Sequence, residues 1–199
     1  MKIDFERIQK DSKTFRIKND NESYIQTYPE FLSYFSNLKK IYKHNFVIGV
    51  HFVYGWMPTV LKKLVIKNEK QILDILNKVK NSEIITEPEL KCIKESINNK
   101  FTKKDKGSLV GASKLLHFIC PEKYAIWDSR VYRYVYGTVS QNKLNEPKLY
   151  LEYLSAIKEI VENKEFKDIK LEVEKACNYE VTPFRAVELI MFEGGRKRI

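Results

Sequence analysis

The sequence predicts a mostly α protein, and three observations carry that prediction. Apolar residues recur at helical spacing along most of the 199 residues, and only seven glycines and six prolines interrupt them. Just two short runs, residues 15–17 and 46–53, have a strand-like pattern, and the second has the apolar density of a buried helix as well. A hydrophobic share of 43%, with 13% aromatic, is enough for a real core and argues against disorder.

Taken in order, residues 29–43 place Phe31, Leu32, Phe35, Leu38 and Ile41 on one stripe, as an amphipathic helix does. Residues 70–79 do the same with Ile72, Ile75, Leu76 and Val79. Thr86-Glu87-Pro88-Glu89 is a helix start, with a cap, a proline in the first turn and acids near the positive end of the dipole. That helix is expected to run through Leu90, Ile93 and Ile97. Residues 148–161 carry Leu151, Leu154, Ile157 and Val161 on another stripe. Thr182-Pro183 opens a last helix through Val187, Leu189, Ile190 and Met191, and Gly194-Gly195 ends it.

The chain carries a net charge of +10, which favours polyanionic partners, nucleic acid first and anionic membrane second. A lysine-rich composition can equally be a genome-wide habit. Membrane insertion is not expected: the most apolar window, residues 46–60, contains His51 and Pro58 and is too short to span. The first six residues hold Asp4 and Glu6 and no apolar core, unlike a secretory signal. Cys92, Cys120 and Cys177 are scattered without a C-x-x-C pair, which points to a reducing compartment, the cytoplasm by default, and against a cysteine-ligated metal. His44, His51 and His117 have no ligand spacing, and neither H-E-x-x-H nor a phosphate-binding P-loop occurs. No metal, cofactor or nucleotide is therefore expected.

The most informative stretch is residues 107–137. A turn with Gly107 and Gly111 leads into a helix from about Val110, whose buried stripe is Ala112, Leu115, Leu116 and Ile119. Lys114 and His117 are expected on the opposite side, with Ser113 at the border. Lys103, Lys104 and Lys106 precede it. A tight turn that exposes N–H groups beside lysines can clamp a phosphate; it can also be a plain helix connection under a solvated lysine cluster. Asp128 follows the apolar run Tyr124-Ala125-Ile126-Trp127 and opens a second helix, so it can cap that helix or face a reacting centre.

Turn, helix, loop and Asp-led helix together resemble the core of the helix-hairpin-helix DNA glycosylase superfamily. Its members carry a hairpin similar to L-P-G-V-G-x-[KS], a helix, and an apolar run ending in Asp that continues as D-x-x-V-x-R. Here the hairpin would be Ser108-Leu109-Val110-Gly111-Ala112-Ser113-Lys114, and Asp128, Val131 and Arg133 fall in register with the second element. The first hairpin glycine and its proline are missing, the loop before the Asp is shorter, and the iron–sulfur cysteines of one branch are absent.

The resemblance implies two helical lobes in one unit of residues 1–199, approximately 45–127 (with the hairpin at 90–119) and 1–44 plus 128–199, and a cleft between them. It implies double-stranded DNA as partner and a base flipped into the cleft and excised, leaving an abasic site. Asp128 matches the Asp that stabilises the positive charge growing on the sugar. Counted from Gly111, Ser113 occupies the family's Lys-or-Ser position, which favours a monofunctional, hydrolytic enzyme; Lys114, one residue on, is the nucleophile of a bifunctional one. Gly107, Gly111, Ser113, Arg130 and Arg133, with the three lysines, are the candidate DNA contacts.

Tyr54-Gly55-Trp56-Met57-Pro58 is an aromatic turn that can line a base pocket or form a core corner, and His117 is a further pocket candidate. Arg185 and Glu188, three residues apart, suit a local ion pair. The alternatives are a non-catalytic nucleic-acid-binding module using the same hairpin, and a helical interaction protein whose charge is incidental. The damaged, mispaired or modified base, and a role in repair or in defence against phage DNA, stay open.

Overall fold

A computed structural model describes residues 3–17, 22–56, 61, 63–64, 66, 68–98 and 107–196. Among these lie eleven α-helices: α1 (Phe5–Ser12), α2 (Glu22–Ser36), α3 (Lys43–Trp56), α4 (Glu69–Lys80), α5 (Glu87–Ser96), α6 (Leu109–Ile119), α7 (Ser129–Tyr136), α8 (Gln141–Leu144), α9 (Pro147–Val161), α10 (Phe166–Cys177) and α11 (Pro183–Gly194). The β content among them is one antiparallel pairing of β1 (Lys63–Leu64) with β2 (Ile97–Asn98). No helix among the described residues is long and apolar enough to cross a membrane.

Two helices organise the rest. In α6 every residue except Val110 is buried, and in α11 every residue from Phe184 to Met191 is buried. A helix that is apolar on all sides has to be enclosed by others. Accordingly α6 is packed by α2, α3, α4 and α5, and α11 by α1, α7, α9 and α10. Each begins on a side-chain cap. Ser108 Oγ accepts the Gly111 N–H at 3.1 Å, and Thr182 Oγ1 accepts the Arg185 N–H at 3.2 Å. The helix start read at Thr86 is present too, as a capping box: the Glu89 carboxylate accepts the Thr86 N–H at 2.8 Å.

Several expectations are corrected. Residues 46–53 lie inside α3, and 15–17 are irregular. The helix read as starting at Pro29 begins at Glu22, with Pro29 inside it, so the Ile25 carbonyl loses its partner in the helical ladder. It stops at Ser36. Ile41 is buried beyond the helix, where Asn77 brackets it: Asn77 Oδ1 accepts the Ile41 N–H at 2.8 Å, and Asn77 Nδ2 donates to the Ile41 carbonyl at 2.9 Å. Ile97 leaves α5 for β2. The buried stripe of α9 is Tyr150, Tyr153, Leu154, Ile157 and Ile160, turned slightly from the aliphatic one because the tyrosines are the larger buried groups. Residues 22–36 pack on α6, although the sequence grouped 1–44 with the terminal half.

Candidate active site

The segment 124–127 is buried and without regular structure between α6 and α7, so its backbone polar groups need partners other than water. Four side chains supply them. His117 Nδ1 lies 2.6 Å from the Tyr124 carbonyl. Tyr150 donates to the Ala125 carbonyl at 2.9 Å and Tyr153 to the Ile126 carbonyl at 3.0 Å. Ser113 Oγ accepts the Trp127 N–H at 3.1 Å and lies 3.2 Å from the Trp127 carbonyl. The indole of Trp127 donates to the Leu144 carbonyl at 3.0 Å. This scaffold fixes the residue that follows, Asp128.

Asp128 caps α7, and Oδ1 takes both cap bonds, from the N–H groups of Arg130 and Val131 at 2.9 Å each. Neither cap bond uses Oδ2. The carboxylate is thus held rigidly by the helix it opens while lining a cavity of about 310 Å³. The two readings of Asp128, cap and site, are compatible.

That cavity lies between the two central helices. Lys114 of α6 and Arg185 and Glu188 of α11 line it with Asp128, and Trp56 and Phe192 supply aromatic wall. Apart from His117, Lys114 is the only charged or titratable residue of α6. All three charged side chains are almost fully buried, at 7% exposure for Lys114, 3% for Arg185 and 1% for Glu188. Isolated buried charges cost several kcal/mol, so their convergence on one cavity asks for a function.

The electrostatics are coupled. Burial lowers the Lys114 amine below the ordinary lysine value, and the carboxylates of Asp128 and Glu188 pull the other way. The Lys114 Nζ sits 4.8 Å from the centre of the Trp56 ring, in cation–π position. Burial raises the Glu188 carboxyl, the Arg185 guanidinium opposes that rise, and Asp128 adds to it. Arg185 Nη1 donates to Glu188 Oε2, and the guanidinium also lies over Tyr28 at 4.4 Å.

The sequence-predicted residues divide. Lys114, Asp128, Arg130 and Trp56 meet at the cavity. Arg130 also stacks over Phe192 at 4.5 Å. Ser113 does not meet them. It is fully buried, accepting the Trp127 N–H and donating to the Val110 carbonyl at 2.9 Å, while Lys114 lines the cavity. Lys114 and His117 do not project from an exposed side, because α6 has none.

Tyr54 and Trp56 belong to helix α3 rather than to a turn, and Met57 and Pro58 lie outside the described residues. Tyr54 packs on Gly111, where a Cβ would come within 3.1 Å of its ring and of Ile97. Gly111 is therefore a close-packing residue within α6, not part of an anion-facing turn. Arg133 donates to the Gly195 carbonyl at 2.7 Å and so ties α7 to the end of α11. Lys103, Lys104 and Lys106 lie outside the described residues.

Gly107 also serves packing. Its φ is +67°, and a Cβ there would lie 2.2 Å from the Lys94 carbonyl oxygen. Asn145 clamps the same point: its Oδ1 accepts the Leu109 N–H at 2.8 Å and its Nδ2 donates to the Gly107 carbonyl at 3.2 Å. With these groups satisfied internally, the start of α6 is a built joint rather than an open anion site. Gly107→Ala is expected to destabilise the fold by about 2 kcal/mol or more, read as a lower urea midpoint.

His117 is a positioning residue beneath the site, outside the cavity lining. A carbonyl only accepts, so Nδ1 carries the proton donated to Tyr124, and Nε2 accepts from the Tyr28 hydroxyl at 2.7 Å. Burial, with the Arg185 charge adding to it, pushes the ring down from 6.5 to about 3. Between these values the unfolded chain binds a proton that the folded chain refuses. The stability contributed by the neutral ring is present above pH 6.5 and is lost as pH falls toward 3. The His117 ring resonances are expected to stay at neutral positions down to about pH 4. His117→Gln is expected to flatten the acid slope of the unfolding free energy.

The sequence reading singled out Arg185 and Glu188 only as a local pair. Their signal was two opposite charges, one turn apart, inside residues 183–192, which are otherwise apolar. Tyr150, Tyr153 and Asn145 gave none, because each acts on backbone far away in the chain. No protein-family model, no curated protein and no solved structure matches the chain.

Proposed function

We propose that this protein is a DNA glycosylase of the helix-hairpin-helix type, with Asp128 and Lys114 as its catalytic residues. The observation that supports the reading best is their meeting, a capped carboxylate and a buried amine, in one aromatic-walled cavity between two buried helices. The helices around α6 and those around α11 are its two lobes, and the cavity is the cleft that receives a flipped base. Unstacking that base costs a few kcal/mol, and the Trp56 ring recovers part of it by stacking.

Asp128 stabilises the positive charge that develops on the sugar as the bond from C1′ to the base nitrogen lengthens. A rigid carboxylate in a dry cleft does this without reorganising. Lys114, lowered by burial, holds more of its amine in the neutral, nucleophilic form than an exposed lysine does. It attacks C1′ as the base departs with the bonding electrons and, through a Schiff base, opens the route to strand cleavage. This moves the reading from the hydrolytic enzyme that Ser113 suggested toward a bifunctional one. The excess of positive charge supplies non-specific attraction to the DNA backbone.

The test is an excision assay on duplexes with damaged, mispaired and phage-type modified bases, with borohydride added to trap a Schiff base. Release of a base, a trapped covalent adduct and strand breaks without alkali are expected. Breaks that need alkali or an abasic-site endonuclease return the enzyme to the hydrolytic class. Intact DNA across the panel, with salt-sensitive binding retained, makes the protein a non-catalytic module.

A further inference from the structure

Glu188 is a cavity carboxylate to which the chemistry above gives no task. It is 1% exposed, lies in the buried run of α11, and lines the cavity with Lys114 and Asp128. These three side chains come from α11, α6 and the head of α7, so packing rather than sequence neighbourhood brings them together. Glu188 is also held in place. Arg185 Nη1 donates to its Oε2, the guanidinium rests 4.4 Å from the centre of the Tyr28 ring, and the Tyr28 hydroxyl donates to His117. Apolar residues of similar volume would serve stability as well as a buried ion pair does, so its position beside a buried amine asks for a chemical role.

Attack on C1′ needs a proton to move twice. The Lys114 ammonium has to shed one before its lone pair can bond to carbon, and the base nitrogen has to gain one as it departs. Asp128 is unsuited to carry it, because a protonated Asp128 would lack the charge that stabilises the sugar. Among the residues lining the cavity, Glu188 is the other carboxylate. Two carboxylates in different surroundings can divide such tasks. Asp128 is tied to two backbone N–H groups, whereas Glu188 stands in an apolar helix where burial pushes it above the ordinary carboxylate range. A carboxyl that can both take and give a proton near neutrality is suited to the transfer.

We propose that Glu188 is a third catalytic residue, the carboxylate that takes the proton Lys114 sheds and hands it to the leaving base. The proton passes from Nζ to the Glu188 carboxylate, and the freed lone pair of Nζ forms the bond to C1′. The bond from C1′ to the base nitrogen breaks with its electrons going to the base. Glu188 then returns the proton to that nitrogen and ends ionised, as it began. That the leaving group is a base in DNA rests on the glycosylase reading. That Glu188 exchanges a proton at Lys114 rests on the cavity alone.

The first arm of the experiment uses no DNA. The full chain is treated with glycolaldehyde and cyanoborohydride, and the adduct on Lys114 is located by peptide mass spectrometry. The amine adds to the aldehyde, the carbinolamine loses water with the proton that Glu188 gives, and cyanoborohydride reduces the imine. Glu188→Gln keeps an oxygen for Arg185 and removes the acid. It is expected to label at Lys114 at least about tenfold more slowly than wild type. A Glu188 that acted only through its charge would give the opposite sign, because its loss removes a carboxylate that favours the ammonium and so frees the amine.

The second arm is excision from duplexes whose bases differ in how readily they leave. Glu188→Gln is expected to lose about 10²-fold or more on the poorest leaving base and least on the best one. A merely structural role slows all of them alike. Should the variant fail to fold, wild type run in D₂O decides: labelling of Lys114 is expected to slow, and an unchanged rate overturns the proposal.

Equal or faster labelling in Glu188→Gln, or no labelling of Lys114 in wild type, also overturns it. Labelling that depends on Glu188, with intact DNA across the panel, removes the glycosylase reading and keeps the proton exchange. Excision that Glu188→Gln leaves unchanged for every base does the reverse.

Discussion

Lys114→Met is expected to abolish the borohydride-trapped adduct and to slow excision by about 10³-fold or more, as losing a nucleophile does. The variant keeps most of the side-chain volume and removes a cation that is 7% exposed, so its thermal midpoint should hold or rise. Stability and activity then move in opposite directions, which separates a functional lysine from a structural one. The pH profile gives a second check. A lowered amine becomes neutral at a lower pH, so trapping should rise with pH through a value below the 10.5 of an ordinary lysine. If Lys114→Met excises normally and the wild type yields only alkali-dependent breaks, the lysine is not the nucleophile and water is.

Asp128→Asn is expected to cost about 10²–10³-fold in excision rate, the usual scale for one preorganised electrostatic group. Asn caps a helix about as well as Asp, so both Oδ1 bonds to the start of α7 should survive and the thermal midpoint should change little. DNA binding should survive too, because the variant removes negative charge. Asp128→Ala adds the loss of the cap, about 1 kcal/mol. Excision by Asp128→Asn at near wild-type rate would reduce Asp128 to a cap and remove the main support for the glycosylase reading.

How much of this was legible beforehand depends on how far each interaction reaches along the chain. The capped start at Thr86, the Thr182-Pro183 start and the Asp128 cap all involve residues within three positions of one another, and all are legible in the sequence. The start of α2 was misplaced because a proline looks like a helix beginning, whereas Pro29 stands inside one. Residues 46–53 were ambiguous because a helix enclosed by neighbours and a buried strand have the same apolar density.

The candidate site was half visible. Asp128 and Lys114 stood out in the pattern, but the count from Gly111 favoured Ser113. That count treats Gly111 as part of a turn, and in the fold it is already inside α6 beneath Tyr54. A helix buried all round has no polar face to show which side chain meets a cavity. The sequence by itself determined the helices, their caps and the presence of a carboxylate at the head of α7, because spacing and local hydrogen bonds set these. Only the tertiary structure decided that Trp56, Lys114, Asp128 and Arg185 share one cavity while Ser113 and His117 hold the backbone beneath it. Those contacts join segments far apart in the chain, and which side of α6 and α11 faces inward follows from the packing of all their neighbours at once.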